Sequence, residues 1–281
     1  VQTLDAQPFV SGLKFPECPR WHDVRLWFCD MIAGDVLTAT ADGRVESVVA
    51  VWGDPGGLGW LPDGRLLVVA MHEQRVVVWN GKGLHHWAAL GHIEPFASND
   101  MVVDAAGRAY VSGFGFNLYA TPPTPAPASL AFVPAGGEAH AFGDGLMFPN
   151  GLALSADGRT LIVAETLGRR LTAFDVAADG TLSNQRLYAA TGNAAPDGIA
   201  LDAEGGVWIA SPPTEEFLRV LPGGEVTHRI ATPGRWAVAC ALGGDDGCTL
   251  YLCVAETTLV DRAQNRSTGW IMTARADVAG T

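Results

Sequence analysis

Four oxygen-bearing side chains recur at one place in a repeating pattern. Asn99, Asn150 and Asp197 each stand eight positions before a turn glycine, at Gly107, Gly158 and Gly205. A looser first copy puts Glu17 in the same place. Two carboxylates and two carboxamides, with no sulfur, make a donor set for one hard divalent cation. Ca²⁺ is the expected ion, and the same oxygens admit Mn²⁺, Mg²⁺, Zn²⁺ and Fe²⁺. Without a cation the two carboxylates would repel. Taken singly, an Asn or Asp at a strand start equally well caps a turn; the shared register across copies favours the cation site. In a further copy, Gly56 holds this place, and its missing side chain is expected to leave room for a ligand.

These residues can meet only if the elements carrying them surround one axis. The repeat is an apolar run, an Asp-Gly-like turn and a second apolar run. It reads Asn150-Gly151-Leu152-Ala153-Leu154-Ser155-Ala156-Asp157-Gly158, then Leu161-Ile162-Val163-Ala164. Six such turns fall near residues 23, 64, 107, 158, 205 and 247. Further alternating runs follow, such as Arg75 to Asn80 and Arg170 to Asp175, each ending in a tight turn such as Asn80-Gly81 or Asp179-Gly180. Four short strands every 40 to 50 residues or so predict a blade. The expected fold is therefore all-β: one six-bladed β-propeller over residues 1–281, with four-stranded blades around a central channel. The last repeat supplies three strands, ending near Gly269 to Ala274, and its fourth is expected from Gln7-Pro8-Phe9-Val10. No amphipathic helix longer than two turns is expected.

Composition narrows the class of function. With 48% hydrophobic and 17% charged residues, the 281-residue chain has ample apolar surface to fold. Its net charge of −12 argues against nucleic acid or an anionic membrane as partner. No apolar run reaches the roughly 18 residues of a membrane span. The start Val1-Gln2-Thr3 has no basic region or long apolar stretch, so it does not read as a secretory signal; a signal removed earlier stays open. The five cysteines, Cys18, Cys29, Cys240, Cys248 and Cys253, form no Cys-x-x-Cys pair. They read as core thiols of a cytoplasmic protein.

The second strands return towards the same mouth and end at Asp30, His72, Phe114, Glu165, Ser211 and Glu256. These residues either hydrogen-bond around a ligand or are solvated strand ends. His72 is a candidate substrate contact or proton carrier, against an ordinary structural role. Apolar loops lie nearby: Val51-Trp52, Phe114-Gly115-Phe116, Leu146-Met147-Phe148 and Arg235-Trp236. They are either packing or the walls of a site. In the second case Phe114, Met147 and Trp236 join Asn99 and His72 as substrate contacts. The segment Thr121 to Pro127 carries four prolines and is either part of a rim or a plain surface insertion. His85-His86-Trp87 reads as outer-blade surface. No Gly-x-Ser-x-Gly elbow and no dinucleotide-binding fingerprint is present.

Together these motifs resemble one family. Phe15-Pro16-Glu17-Cys18-Pro19-Arg20-Trp21 with Leu26 to Asp30 looks like the first blade of the senescence marker protein, gluconolactonase and luciferin-regenerating enzyme family. Asn99-Asp100, Pro149-Asn150-Gly151 and Pro196-Asp197-Gly198 follow in the same order and spacing. The resemblance implies a six-bladed propeller with one divalent cation on Glu17, Asn150 and Asp197, and with Asn99 near the metal or its substrate. It implies hydrolysis of lactones, with Asp197 as general base. One position departs: sugar-lactonase members commonly carry Arg two residues before the Asn, where this chain has Ala97. The expected substrate is therefore a lactone or ester less hydroxylated than an aldonolactone. A non-catalytic metal-containing binding or sensor propeller, and a metal-assisted cyclase or isomerase, remain the alternatives. The expected partner is that small molecule, with no nucleic acid and no membrane, and the expected assembly a monomer or weak homodimer.

Overall fold

The computed structural model describes all 281 residues. Its strands form six sheets, five of four antiparallel strands and one of five. The first blade runs Pro16–His22, Arg25–Asp30, Asp35–Ala39 and Val45–Ala50 from axis to rim. The next four begin on the axis with Pro55–Trp60, Ser98–Val103, Pro149–Leu154 and Ile199–Leu201. The sixth begins with Trp236–Gly243, and Gln7–Leu13 is its outermost strand, paired with Thr268–Arg275. Each innermost strand touches the innermost strands of both neighbouring blades, which closes the ring.

The turns explain the repeat. Gly64, Gly107, Gly158, Gly205 and Gly247 all have positive φ, between 67° and 85°, where other residues are strained. Aspartate fixes the loop: Asp202 Oδ1 accepts from the N–H groups of Glu204 and Gly206 at 3.0 and 2.9 Å. The looser first copy manages without glycine by placing Asp23 and Val24 in the left-handed region.

Six buried apolar clusters hold the ring, one between each pair of adjacent blades. The one between the second and third blades also runs into the channel through Phe15, Met31, Phe114 and Phe148. Near the axis the strands approach so closely that side chains must vanish. A Cβ on Gly151 would stand 2.6 Å from the carbonyl oxygen of Asp197. Two features go beyond the repeat pattern. Gln2–Thr3 adds a fifth, parallel strand to the fifth blade. A five-residue helix, Leu259–Ala263, is inserted between two strands of the sixth and is capped by Thr258. No helix is long and apolar enough to cross a membrane. All five cysteines are free thiols, four of them buried.

Candidate active site

A β-bulge shapes the inner strand of each of the first four blades beside the channel. The register of Glu17 to Arg20 against the second strand of its blade slips there, and it slips likewise between Pro55 and Leu58, Ser98 and Met101, and Pro149 and Leu152. Bulges of this kind re-aim a side chain and end pairing. The residue just inside each bulge is Glu17, Gly56, Asn99 or Asn150, so three polar side chains are turned into the channel. Asp197 lies just before its strand, its N–H donating to the Ala210 carbonyl at 2.9 Å.

Glu17, Asn99, Asn150 and Asp197 line one cavity of about 450 Å³. Glu17, Asn99 and Asn150 are buried. Asn99 Nδ2 donates to Asn150 Oδ1 at 2.9 Å, and Asn150 Nδ2 to Thr166 Oγ1 at 3.2 Å. Thr166 in turn donates to the Pro196 carbonyl at 2.8 Å. The chain nowhere gathers three His, Cys, Asp or Glu side chains around a possible metal. The central set reaches four oxygen donors only by counting its two carboxamides.

The electrostatics fit a missing positive charge. Burial, then the charge of Asp197, pushes the Glu17 carboxyl well above the usual carboxylate range, although the Cys18 N–H at 2.9 Å and the Arg262 charge pull the other way. Burial likewise pushes Asp197 up to about 8, against hydrogen bonding from Asn150. Ionising both buried carboxylates there is therefore costly, and a cation bound between them would lower that cost. The neighbouring thiols of Cys18 and Cys29 are pushed well up by burial, so they offer no thiolate. The donor set is thus hard and oxygen-only, with two carboxylates whose charge is costly to bury, which fits a divalent cation.

Beneath this set lies a clamp that the repeat pattern did not reveal. Asp100 Oδ1 accepts from Arg20 Nη2 at 2.6 Å and from the Met101 N–H at 2.8 Å, and its Oδ2 accepts from the Leu152 N–H at 3.2 Å. One carboxylate therefore ties the first, third and fourth blades together beside Asn99. Ser112 adds a hydrogen bond to the Asn150 carbonyl at 2.7 Å.

The walls are apolar. Phe15, Met31, Met71, Phe114, Phe148 and Trp236 line the cavity. Phe148 has φ of 59° and packs edge-on against Phe114 and Phe116, with ring centroids 4.9 and 5.5 Å away. Such a backbone is strained for an aromatic residue and is held by its surroundings. Of the expected substrate contacts, Asn99, Phe114 and Trp236 line the cavity, while His72 and Met147 do not. His72 faces a smaller neighbouring cavity, with Nε2 3.4 Å from Asp54 Oδ2. The Met147 N–H donates to Glu165 Oε2 at 2.8 Å, and the next residue, Phe148, supplies the wall.

Several strand-end residues turn inward instead of facing a ligand. Asp30 accepts from the N–H groups of Lys14 and Phe15, Glu165 pairs with Arg170 and Thr172, and Ser211 accepts from the Ala195 N–H. Glu256 is exposed. Gly56 leaves no space for a ligand: a Cβ there would collide with the Asn99 carbonyl, so its absence serves strand packing. The proline segment is mostly exposed, but Leu118 and Tyr119 of the same loop reach the cavity. His85 and His86 are exposed on an outer strand. Arg262 and Arg169 also line the cavity; they lie in the inserted helix and a connecting turn, outside the register that located the others.

Comparison with known proteins agrees with this architecture. The family model for the SMP-30/Gluconolactonase/LRE-like region matches residues 15–256. A 6-deoxy-6-sulfogluconolactonase of Pseudomonas putida is 27% identical over 252 residues, covering 88% of this chain and 84% of that protein. A luciferin-regenerating enzyme superposes with a TM-score of 0.83 at 20% identity, covering 99% of this chain and 97% of that one. A calcium-binding regucalcin from Agrobacterium tumefaciens does so with 0.82 at 21% identity, covering 100% and 97%. At these identities the two structures speak for the fold.

Proposed function

The chain belongs to the SMP-30/gluconolactonase/LRE-like family, and from that premise we propose that it is a divalent-metal-dependent lactonase acting on a lactone less hydroxylated than an aldonolactone. The observation that carries this reading is the convergence of Glu17, Asn99, Asn150 and Asp197 in one largely apolar cavity. The proposed holders of the cation are Glu17, Asn150 and Asp197, with Asn99 beside them. Ca²⁺ is the favoured ion, in keeping with the calcium-binding regucalcin of the same fold. When bound, a divalent cation there supplies Lewis-acid polarisation of the ester carbonyl.

The rest of the chemistry falls to the chain. Asp197, once ionised, accepts a proton from the water that attacks the ester carbon. The new C–O bond forms, the ring C–O bond breaks, and the proton passes to the departing ring oxygen, giving the open hydroxy acid. Phe114, Phe148 and Trp236 hold the ring and limit water to the attacking molecule. Asn99 offers the amide N–H not used by Asn150 to a substrate oxygen. The relatives' names point to lactones; the apolar lining and Ala97 support a ring with fewer hydroxyls. Ala97 is buried and its carbonyl accepts from the Phe114 N–H at 3.0 Å, so it contributes packing instead of a polar contact.

Two substitutions test the assignment. Asp197→Ala is expected to abolish lactone hydrolysis, and Glu17→Ala to weaken metal binding and raise the metal concentration needed for turnover. Wild-type rates and metal affinity in both variants would refute it.

A further inference from the structure

We propose that the substrate lactone carries an anionic group and that Arg262 anchors it. The inference rests on the lactonase reading and adds to it the substrate's charge. Arg262 enters the cavity from the short helix inserted in the sixth blade. It is 9% exposed, and its guanidinium lies over the Phe15 ring at 4.7 Å. Its backbone N–H donates to the Thr258 carbonyl at 2.8 Å, while none of its guanidinium N–H groups makes a hydrogen bond within the protein. Its one ion-pair contact, to Asp54 Oδ2 at 3.8 Å, is longer than a hydrogen bond.

Two other arginines of low exposure are paired with carboxylates. Arg219 donates to Asp202 at 2.6 Å and to Glu204 at 3.2 Å, and Arg20 donates to Asp100 at 2.6 Å. A guanidinium taken out of water without partners for its donors costs free energy, so buried arginines are normally paired. Arg262 keeps its planar fork unpartnered in a cavity, and the group that matches the fork is a carboxylate or another oxyanion. Arg169, exposed in a connecting turn, adds a second guanidinium to the same lining. Most of the remaining lining is apolar. The arrangement suits a lactone that carries an anionic group on an apolar chain.

The test compares two γ-lactones that differ in one group: one bears a carboxylate on a chain of two to four carbons, the other the matching primary amide. The wild-type protein, loaded with its activating metal, should favour the carboxylate in kcat/KM by about 10- to 100-fold, the worth of a charge-assisted hydrogen bond. Arg262→Gln should bring that ratio close to one, and Arg262→Lys should restore part of it. A merely structural arginine would lower both rates and leave the ratio where it was, and so would one that served the carboxylate produced by ring opening. Either result, or a wild-type ratio of one, overturns the inference and leaves the lactonase reading standing.

Binding to chelator-treated protein, followed by calorimetry, gives a second readout that needs no turnover. There the carboxylate lactone should bind more tightly than the amide in the wild type and equally in Arg262→Gln. If no lactone is hydrolysed with any metal, the lactonase reading fails, and this binding preference alone decides for or against the anion site. If Arg262→Gln does not fold, Arg262→Lys and the wild-type preference in the metal-free protein carry the same decision.

Discussion

Glu94 offers a sharp test of how the interior is built, because it is a buried acid with nothing to hold it. It is 1% exposed, and its Oε1 has no hydrogen-bond partner. Its carboxylate stands against Gly113, where a Cβ would collide with it. Burial alone pushes the carboxyl from 4.5 up to about 8. The folded protein therefore keeps a proton that the unfolded chain gives up. Stability present below pH 4.5 is lost as pH rises towards 8. At about 1.4 kcal/mol per pH unit the loss is under about 1 kcal/mol at pH 5 and about 3 kcal/mol at pH 7. Glu94→Gln keeps the shape and removes the titration. Urea unfolding of both proteins, read by tryptophan fluorescence at pH 5, 6, 7 and 8, should show the variant gaining on the wild type by about 2 kcal/mol or more between pH 5 and 7. Glu17 and Asp197 titrate in both proteins, so their effects cancel in the difference. A difference between variant and wild type that is the same at every pH would refute the reasoning.

Two further outcomes are expected. With Asp197 raised to about 8 and Glu17 raised as well, a cation must displace protons to bind. Calcium binding at pH 7 should therefore release about one or two protons and tighten as pH rises towards 8; calorimetry in two buffers of different ionisation enthalpy checks this, and no proton release would contradict it. Gly56→Ala would press a methyl group into the Asn99 carbonyl and to 2.9 Å from Met71 Cγ. It should cost about 1–3 kcal/mol in urea unfolding and weaken metal binding; unchanged stability and affinity would speak against the close approach of these strands.

Much of the architecture could be read from the chain because each blade repeats one local solution. The turn glycines of positive φ, at Gly107, Gly158 and Gly205, mark the hairpins, and counting back from them reaches Asn99, Asn150 and Asp197 in one cavity. The closing strand from Gln7 was equally legible, because the last repeat lacked a fourth strand of its own. What escaped depends on tertiary placement. The bulges that turn Glu17, Asn99 and Asn150 inward leave no mark in the pattern of apolar residues. Gly56 looked like space for a ligand, yet the neighbouring strand fills it. His72 belongs to an adjacent hollow because the loop carrying Leu118 and Tyr119 stands at both cavities. In the Leu146-Met147-Phe148 loop, the left-handed backbone at Phe148 presents that ring to the cavity in place of Met147. Arg262 sits in an insertion that only one blade has, so no repeat could align it. Asp100 was visible beside Asn99, but its role as a clamp needs Arg20 and Leu152, which come from other blades.

Metal-dependent lactone hydrolysis is tested most directly by proton release from a panel of lactones. The panel runs from gluconolactone to long-chain and aryl lactones, first with chelator and then with Ca²⁺, Mn²⁺, Mg²⁺ and Zn²⁺ restored in turn. If the proposed function holds, turnover vanishes with chelator, returns with at least one divalent cation, and is faster on a sparsely hydroxylated ring than on gluconolactone. Hydrolysis that persists in chelator, or none with any metal, would contradict it.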